Sequence, residues 1–288
     1  MSATPTATIQ GESFVDGLKS LPPLPAVAGE ILEQFGDEFI EIEDVVRVVE
    51  RDPGICAKLL GLANSAYFNL PSPVTDLGEA ISRVLGLDTV RSIVFAMALK
   101  QTFDPSRCPA FVAQRFWLDA LCIAESCKKL ARSEASDSAD VMNLAYPAGL
   151  CHNLGLLAFV HLRPDEVNLL LKSQARDPVA GGLSEQLREQ LEVDHRIVTA
   201  DLAAAWSMPK LIVDAYRHRA DSAVDGGPLG TILDASVATV SNKTGPDKSR
   251  VSLEDTAVRL GLTQEELTER AEPGDQQIER LRTVAASM

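Results

Sequence analysis

Hydrophobic residues recur along the chain every three to four positions, the spacing that places them on one face of an α-helix. The strict alternation of apolar and polar positions that is typical of half-buried strands is nearly absent. The pattern therefore predicts an all-α fold. Predicted helices cover 14–20, 26–35, 42–50, 53–65, 77–85, 89–102, 111–132, 140–162, 164–174, 184–192, 195–206, 210–219 and 229–240, with two short helices and a final one at about 274–285.

Local start signals support several of these helices. Asp52 precedes Pro53: an N-cap aspartate accepts hydrogen bonds from the first backbone amides, and a proline at the first helical position gives up no useful donor. Asp88 is predicted to cap the helix that follows it. Ser252 and Thr263 begin segments that resemble capping boxes.

Composition shifts divide the chain. Residues 1–13 are rich in Ser, Thr and Ala without a basic start or an apolar core, so they predict a disordered leader and not a signal peptide. The proline-containing segment 104–109 predicts a boundary between two helical units. We expect an N-terminal helical subdomain at 14–104, a second helical subdomain at 110–240 and a C-terminal helical extension at 241–288.

One stretch places two polar side chains inside an apolar segment. His152 and Asn153 stand in Ala148–Leu156, whose other members are apolar or glycine. Polar groups that are buried without partners cost roughly 1–3 kcal/mol each, so this pair needs a reason. A hydrogen-bonded core histidine and the remnant of a metal site are both consistent with it.

Three other polar side chains fall on apolar helix faces. Asp119 lies in the middle of the apolar stripe of its helix, and His195 and His218 share faces with apolar residues on two others. Three of the four histidines in the chain are therefore predicted to point inward. They could form one polar cluster with Asp119, either as an ion pair between the carboxylate and a histidine or around a transition metal, for which histidine is a common ligand.

Charge and cysteine content exclude several classes of protein. The 288 residues carry a net charge of −14, from 27 basic and 41 acidic residues, which disfavours nonspecific binding to nucleic acid. The five cysteines include no Cys-x-x-Cys pair, so a disulfide framework or a zinc knuckle is not expected, and the protein is predicted to be cytoplasmic. The sequence contains no run of 18 apolar residues, so no membrane-spanning helix is predicted.

The chain resembles the HDOD family, the bacterial HD-related output domain, over roughly residues 14–240. The residues that carry the resemblance occur in order along the chain: Leu21–Pro25, Asp52–Phe68, Ala80-Ile81, Leu85-Gly86, Val90-Arg91, Phe116-Trp117, Gly149–Gly155, Asp194-His195 and Trp206–Pro209. The resemblance implies a two-lobed helical domain, in which an N-terminal bundle packs on a degenerate version of the HD phosphohydrolase bundle.

The HD phosphohydrolases hold their metal with a His, a His-Asp pair and a later Asp. Carried over to this chain, the first His falls at Asp119 and the pair at His152 and Asn153. The last Asp falls near Ser236, with Asp234 only two positions away. Only His152 keeps its residue type, so the resemblance implies a vestigial site without catalysis.

The function implied by the resemblance is that of a non-catalytic bacterial signalling protein, which acts on a protein partner or senses a small ligand, with no cofactor, nucleic acid or membrane. Self-association is left open. The turn with Asn64, Ser65, Tyr67 and Phe68 is a candidate interaction surface. The alternative is a metal-dependent phosphohydrolase of nucleotides or cyclic dinucleotides, whose metal would be held by His152, Asp119, His195 and His218.

Overall fold

The computed structural model of the protein describes most of the chain. The predicted leader at 1–13 and the predicted helix at 14–20 lie outside the described residues, which are 23–35, 39–100, 102–176, 182–244 and 252–288. Within these ranges the chain is helical and contains no β-strand, so the prediction of an all-α fold is confirmed.

The helices are numbered in chain order. They are α1 (Ala26–Phe35), α2 (Ile42–Val49), α3 (Pro53–Ala63), α4 (Leu77–Glu79, continued by a π-helical turn at Ala80–Leu85), α5 (Leu87–Leu99), α6 (Ala113–Glu134), α7 (Ala139–Cys151), α8 (Leu154–Leu162), α9 (Pro164–Arg176), α10 (Gly182–Leu191), α11 (His195–Ala205), α12 (Lys210–Ala220), α13 (Gly227–Thr244), α14 (Leu253–Arg259), α15 (Gln264–Ala271) and α16 (Asp275–Ala285).

Local capping fixes several helix starts as predicted. The Asp52 side chain accepts hydrogen bonds from the backbone amides of Gly54 and Ile55, at 2.8 and 3.2 Å. Ser252 caps α14, and Thr263 forms a full capping box at the start of α15. These side chains satisfy amides that the helix itself leaves without an acceptor.

The long helix α6 organises the packing of the middle and the end of the chain. It contacts α7, α13, α15 and α16, while α11 packs between α8 and α12. Helices α1 to α5 pack on one another, and the N-terminal group is joined to the rest through contacts of α1 with α7 and of α5 with α16. The C-terminal extension is therefore part of the same packed structure.

The predicted start of α5 is corrected by the structure. Asp88 does not cap the helix, because α5 begins at Leu87, two residues before the predicted start at 89, and follows Gly86 at a φ of 82°. The Asp88 carboxylate instead forms ion pairs with Arg91 and Lys128.

Two residues on the predicted inward faces are exposed, and both lie near a helix start. Val112 shares the predicted stripe of Asp119 and is 57% exposed, and Leu211 shares that of His218 and is 37% exposed. Val112 precedes the first residue of α6, and Leu211 lies in the first turn of α12, where the face that points to the core belongs to Ile212.

None of the helices in the described residues combines the length and the apolar character that crossing a bilayer requires.

Candidate functional site

His152 and Asn153 break the helix that the apolar pattern predicts at 140–162. α7 ends at Cys151 and α8 begins at Leu154. The break is stabilised locally, because the His152 ring Nδ1 lies 2.8 Å from the carbonyl oxygen of Gly149, one of the last acceptors of α7. Proton donation by Nδ1 to that carbonyl leaves Nε2 as the unprotonated nitrogen of a neutral ring.

Two glycines set the depth of this break in the core. A Cβ at Gly149 would lie 2.6 Å from the Cα of Ala124 on α6, and a Cβ at Gly155 would lie 1.8 Å from the carbonyl oxygen of His195 on α11. The Gly155 amide also donates to the Thr199 hydroxyl at 2.9 Å. Only glycine permits these approaches, and they bring His152 between α6 and α11.

His152 and His195 are both buried and both strongly biased towards the neutral form. Burial, assisted by the nearby charge of Arg219, lowers the pKa of His152 to about 3. Burial also lowers the pKa of His195 to about 4, with Asp194 opposing the shift and Arg196 and Arg219 adding to it. At neutral pH the two rings are therefore uncharged.

The carboxylate beside His195 is that of Asp194, and it accepts hydrogen bonds from Arg196. Asp194 is the N-cap of α11 and lies 3.7 Å from His195 Nδ1. Its oxygens accept shorter hydrogen bonds from the backbone amide and the guanidinium Nε of Arg196, both at 2.9 Å. Burial alone would raise the pKa of Asp194, but these bonds hold it below its usual range.

A second buried carboxylate collects three cationic or basic groups. Asp234 on α13 lies 3.2 Å from Arg219, 3.3 Å from His218 Nε2 and 3.5 Å from Arg259. Arg259 belongs to α14, so this cluster ties the C-terminal extension to α12 and α13. His218 Nδ1 donates a hydrogen bond to the carbonyl oxygen of Val224 at 2.5 Å.

Asp119 and Asn153 both line a cavity of about 310 Å³. Its other lining residues are mostly apolar, among them Phe116 and Leu156, and come from α6, α8, α9 and α10. Of the described residues, neither His152 nor His195 lines this cavity. The structure thus brings Asp119 and Asn153 to one cavity. His152 and His218 take the partners given above, whereas His195 Nδ1 has no hydrogen-bond partner among the described residues.

Ser236 is fully buried on α13. It lies next to the thiol of Cys127 on α6, whose pKa is raised to about 12 by burial, with the serine hydroxyl opposing the shift. The charged residue near this position is Asp234, which the sequence comparison left as an alternative.

These residues do not fit a divalent metal. A metal site like that of the HD phosphohydrolases needs nitrogen and carboxylate donors that converge on one point. Here Asn153 brings no charge, Asp119 faces a separate cavity, and Asp234 is bound to a guanidinium. Nowhere in the part of the chain that the structure describes do three His, Cys, Asp or Glu side chains converge as a metal site would require.

Arg219 is the site residue that sequence reasoning missed. Its side chain is buried and its Nε finds no hydrogen-bond acceptor among the described residues. The signal for it was present, since Ile212, Ala215, Tyr216 and Arg219 follow the spacing of an inward face. His218 on the same helix is the predicted candidate because histidine is a metal ligand, but the spacing of the apolar residues points to Arg219.

The predicted interaction turn divides into structural and exposed residues. The Asn64 amide group bonds the carbonyl of Leu60 at 2.9 Å and both backbone groups of Val74, at 2.8 and 2.7 Å. Asn64 therefore holds the end of α3 against the following loop. Tyr67 is 42% exposed and stacks edge-on with Phe68, with ring centroids 5.1 Å apart.

Known proteins resemble this chain in sequence and in fold. A curated protein of Treponema pallidum (strain Nichols), itself uncharacterized, is 26% identical over 208 residues, which are 71% of this chain and 38% of that protein. A candidate signal transduction protein from Marinobacter aquaeolei VT8 has a TM-score of 0.75 at 24% identity, covering 97% of this chain and 65% of that one. This chain thus spans less than two thirds of the length of either relative.

A third relative matches over nearly its whole length. The HDOD domain protein of unknown function from Geobacter sulfurreducens has a TM-score of 0.65 at 20% identity, with 98% of each chain covered. At these identities the two crystal structures establish the shared fold. The sequence profile of the HDOD domain matches residues 21–222, which is more than half of the chain. The chain therefore belongs to the HDOD domain family.

Proposed function

We propose that the protein is a non-catalytic signalling module, which acts in the cytoplasm by binding another protein. The observation that carries this proposal is the buried guanidinium of Arg219. Its charge adds to the effect of burial in lowering the pKa of His152 and His195, and its guanidinium is paired with Asp234. A fixed cation thus acts on His152, the one residue that keeps its type among the positions carried over from the metal-binding motif.

Electrostatics explains why this arrangement opposes hydrolysis. A metal-dependent hydrolase holds a divalent cation firmly and leaves a position for an activated water. A guanidinium in a weakly polar interior repels a second cation and competes for the same carboxylate. Among the four carried-over positions Asp119 is the one carboxylate, since Asn153 and Ser236 add no negative charge.

The surface supports a protein as the partner. The net charge of −14 disfavours a nucleic acid, because phosphate binding depends on clustered Lys and Arg. Tyr67 is a partly exposed aromatic residue on a turn that Asn64 holds in place. Aromatic side chains on a well-supported surface are frequent anchors of protein interfaces.

The enzyme alternative is tested by elemental analysis of protein purified without chelator, combined with hydrolysis assays on nucleotides and cyclic dinucleotides. We expect no turnover above that of buffer. Stoichiometric iron, manganese or zinc together with turnover that His152→Ala abolishes would overturn the proposal.

The interaction is tested by affinity capture from the native cell, followed by mass spectrometry. We expect the wild-type protein to capture a defined partner that Tyr67→Ala loses. Phe39→Ala is the matched control, because Phe39 is another exposed aromatic residue, at 86%, away from the turn. Equal capture by wild type and Tyr67→Ala would contradict the assignment of this surface, and no partner with any of the three proteins would contradict the proposed mode of action.

A further inference from the structure

A second and larger cleft lies where the N-terminal helices, the middle of the chain and the C-terminal helix meet. Its volume is about 700 Å³, and its walls come from α1, the start of α5, α6, α7 and α16. It shares no lining residue with the cavity beside Asp119. Its size falls within the range of about 300–1,000 Å³ that is common for small-molecule sites.

The charges in this cleft run against the charge of the protein. Four cations line it, against two carboxylates, although the whole chain carries −14. The cations are Arg91, Lys128, Arg132 and Arg280, and the carboxylates are Asp88 and Glu125. A positive pocket on an acidic protein concentrates anions locally.

One carboxylate serves two of the cations. Asp88 pairs with both Arg91 and Lys128. Burial alone would raise the pKa of Asp88, but the hydrogen bond from Lys128 and the charges of both partners hold it below its usual range. These three groups thus form a fixed wall that keeps one net positive charge.

The remaining two arginines form no ion pair with a carboxylate within the described ranges, although the charge of Arg280 acts on Glu125. Arg280 donates to the backbone carbonyls of Val84 and Leu85, which position its guanidinium without neutralising it. Arg132 is exposed at the rim, and no hydrogen bond or ion pair engages it in the described part of the chain. Glu125 accepts a hydrogen bond from the Gln277 amide at 3.2 Å, and burial raises its pKa.

The apolar part of the cleft suits a ring. Phe35 and Tyr146 are stacked, with centroids 5.5 Å apart, and Met142 and Leu281 line the same space. Small-molecule sites commonly combine such an apolar lining with a few polar groups that fix orientation.

We propose that this cleft binds a small ring-bearing phosphate monoester. The excess of two cations over carboxylates matches the charge of about −1.5 to −2 that a phosphate monoester carries at neutral pH. Arginine presents donors in a planar fork that fits phosphate oxygens, and Arg132 and Arg280 are the two guanidinium groups without a carboxylate. This site is independent of the vestigial HD-type site and of the proposed interaction turn.

Binding is tested by calorimetry and thermal shift on the full chain, with adenosine monophosphate, inorganic phosphate and malonate as probes. We expect the monophosphate to bind with an affinity that falls as salt is added, and to raise the melting temperature by about 5 °C at a hundredfold excess over Kd. We expect inorganic phosphate to bind more weakly because it leaves the apolar wall uncovered, and malonate, a dicarboxylate, to bind weakest. Malonate binding as tight as that of the monophosphate would overturn the assignment to phosphates.

The variants use the rim residue, because its replacement leaves the packed wall intact. Arg132→Gln should weaken monophosphate binding about tenfold, and Arg132→Glu should abolish it. Arg107→Gln is the matched control, since Arg107 is exposed and paired only with Asp165 in the described residues. Wild-type affinity in Arg132→Glu, or no binding of the monophosphate to the wild-type chain at millimolar concentration, would overturn the proposal.

Discussion

The Arg219 guanidinium lies 3.2 Å from the Asp234 carboxylate, with 11% and 3% of the two side chains exposed. Breaking a buried ion pair from one side leaves a buried charge without its nearest partner, and here Asp234 would keep only the more distant His218 and Arg259 among the described residues. Arg219→Met should therefore lower the free energy of unfolding by about 3 kcal/mol in urea denaturation.

Two further variants make this first prediction specific. Arg217→Met, an exposed arginine on the same helix, should change stability by less than about 0.5 kcal/mol. Arg219→Met combined with Asp234→Asn should cost less than the sum of the two single changes, because the pair is removed together. Strictly additive losses would show that the two side chains do not interact.

The folded protein should become less stable as the pH falls below about 6.5, because His152 and His195 are buried in the neutral form. Their pKa values in the folded protein, about 3 and about 4, lie below the usual value of 6.5. The neutral forms therefore stabilise the fold fully above about pH 6.5, and this contribution is lost as the pH falls towards 4, because the unfolded chain binds protons that the folded chain does not. Each histidine should contribute a slope of about 1.4 kcal/mol per pH unit in this window.

Urea denaturation between pH 7 and 4.5 measures this slope. Asp88 and Asp194 have pKa values lowered from 3.8, so their own losses begin only near the acid end of the range. His195→Gln should remove the share of one histidine and flatten the curve. A slope that stays the same in this variant would contradict the buried, neutral state of His195.

The close approach of α8 to α11 predicts a large effect of a single methyl group. Gly155→Ala places a Cβ 1.8 Å from a backbone carbonyl oxygen, so backbone must move, and we expect a loss of about 3 kcal/mol or more. Gly149→Ala, at 2.6 Å from Ala124, should be destabilising as well. The control is Gly61→Ala, which meets nothing within 4 Å inside α3 and should stabilise by about 0.5–1 kcal/mol. Thermal unfolding of the three variants gives the order directly, and a tolerated Gly155→Ala would contradict this helix packing.

Asn64 and Tyr67 should separate stability from binding. Asn64→Ala removes two hydrogen bonds to the loop at Val74 and one to Leu60 within α3, so it should lower the free energy of unfolding by about 1–3 kcal/mol. Tyr67→Ala, on the exposed side of the same turn, should leave stability within about 0.5 kcal/mol. Circular dichroism melts of both variants check this, and a strongly destabilised Tyr67→Ala would place that ring in the core instead of on a binding surface.

The sequence predicts features of this fold that depend on neighbouring residues. Asp52, Ser252 and Thr263 cap helices as expected, because a cap needs only a side chain and the next two or three amides. The predicted start of α5 is wrong because it assumes that Asp88 is an N-cap. The Asp88 carboxylate instead forms ion pairs, one of them with Lys128 on α6.

The arrangement of the site was predictable only in part. That His152 and His195 are buried follows from their helix faces, and the structure agrees. The break after Cys151 was not predictable from periodicity, because it depends on the approach of α11 to Gly155. Asp119 shares a face with apolar residues as predicted, but helical spacing does not say what that face meets; in the structure Asp119 lines the same cavity as Asn153.

The ion pairs of Asp234 with Arg219 and Arg259 limit how far the chain can be shortened. A fragment cut to the matched region, 21–222, would keep Arg219 and discard its carboxylate, and it would also lose the helix that carries Arg280. Such a fragment would expose the flank of α6 that α13, α15 and α16 cover. The smallest piece of this chain suited to expression, crystallisation or fusion to a reporter therefore extends through Ala285, well past the border that family membership alone suggests.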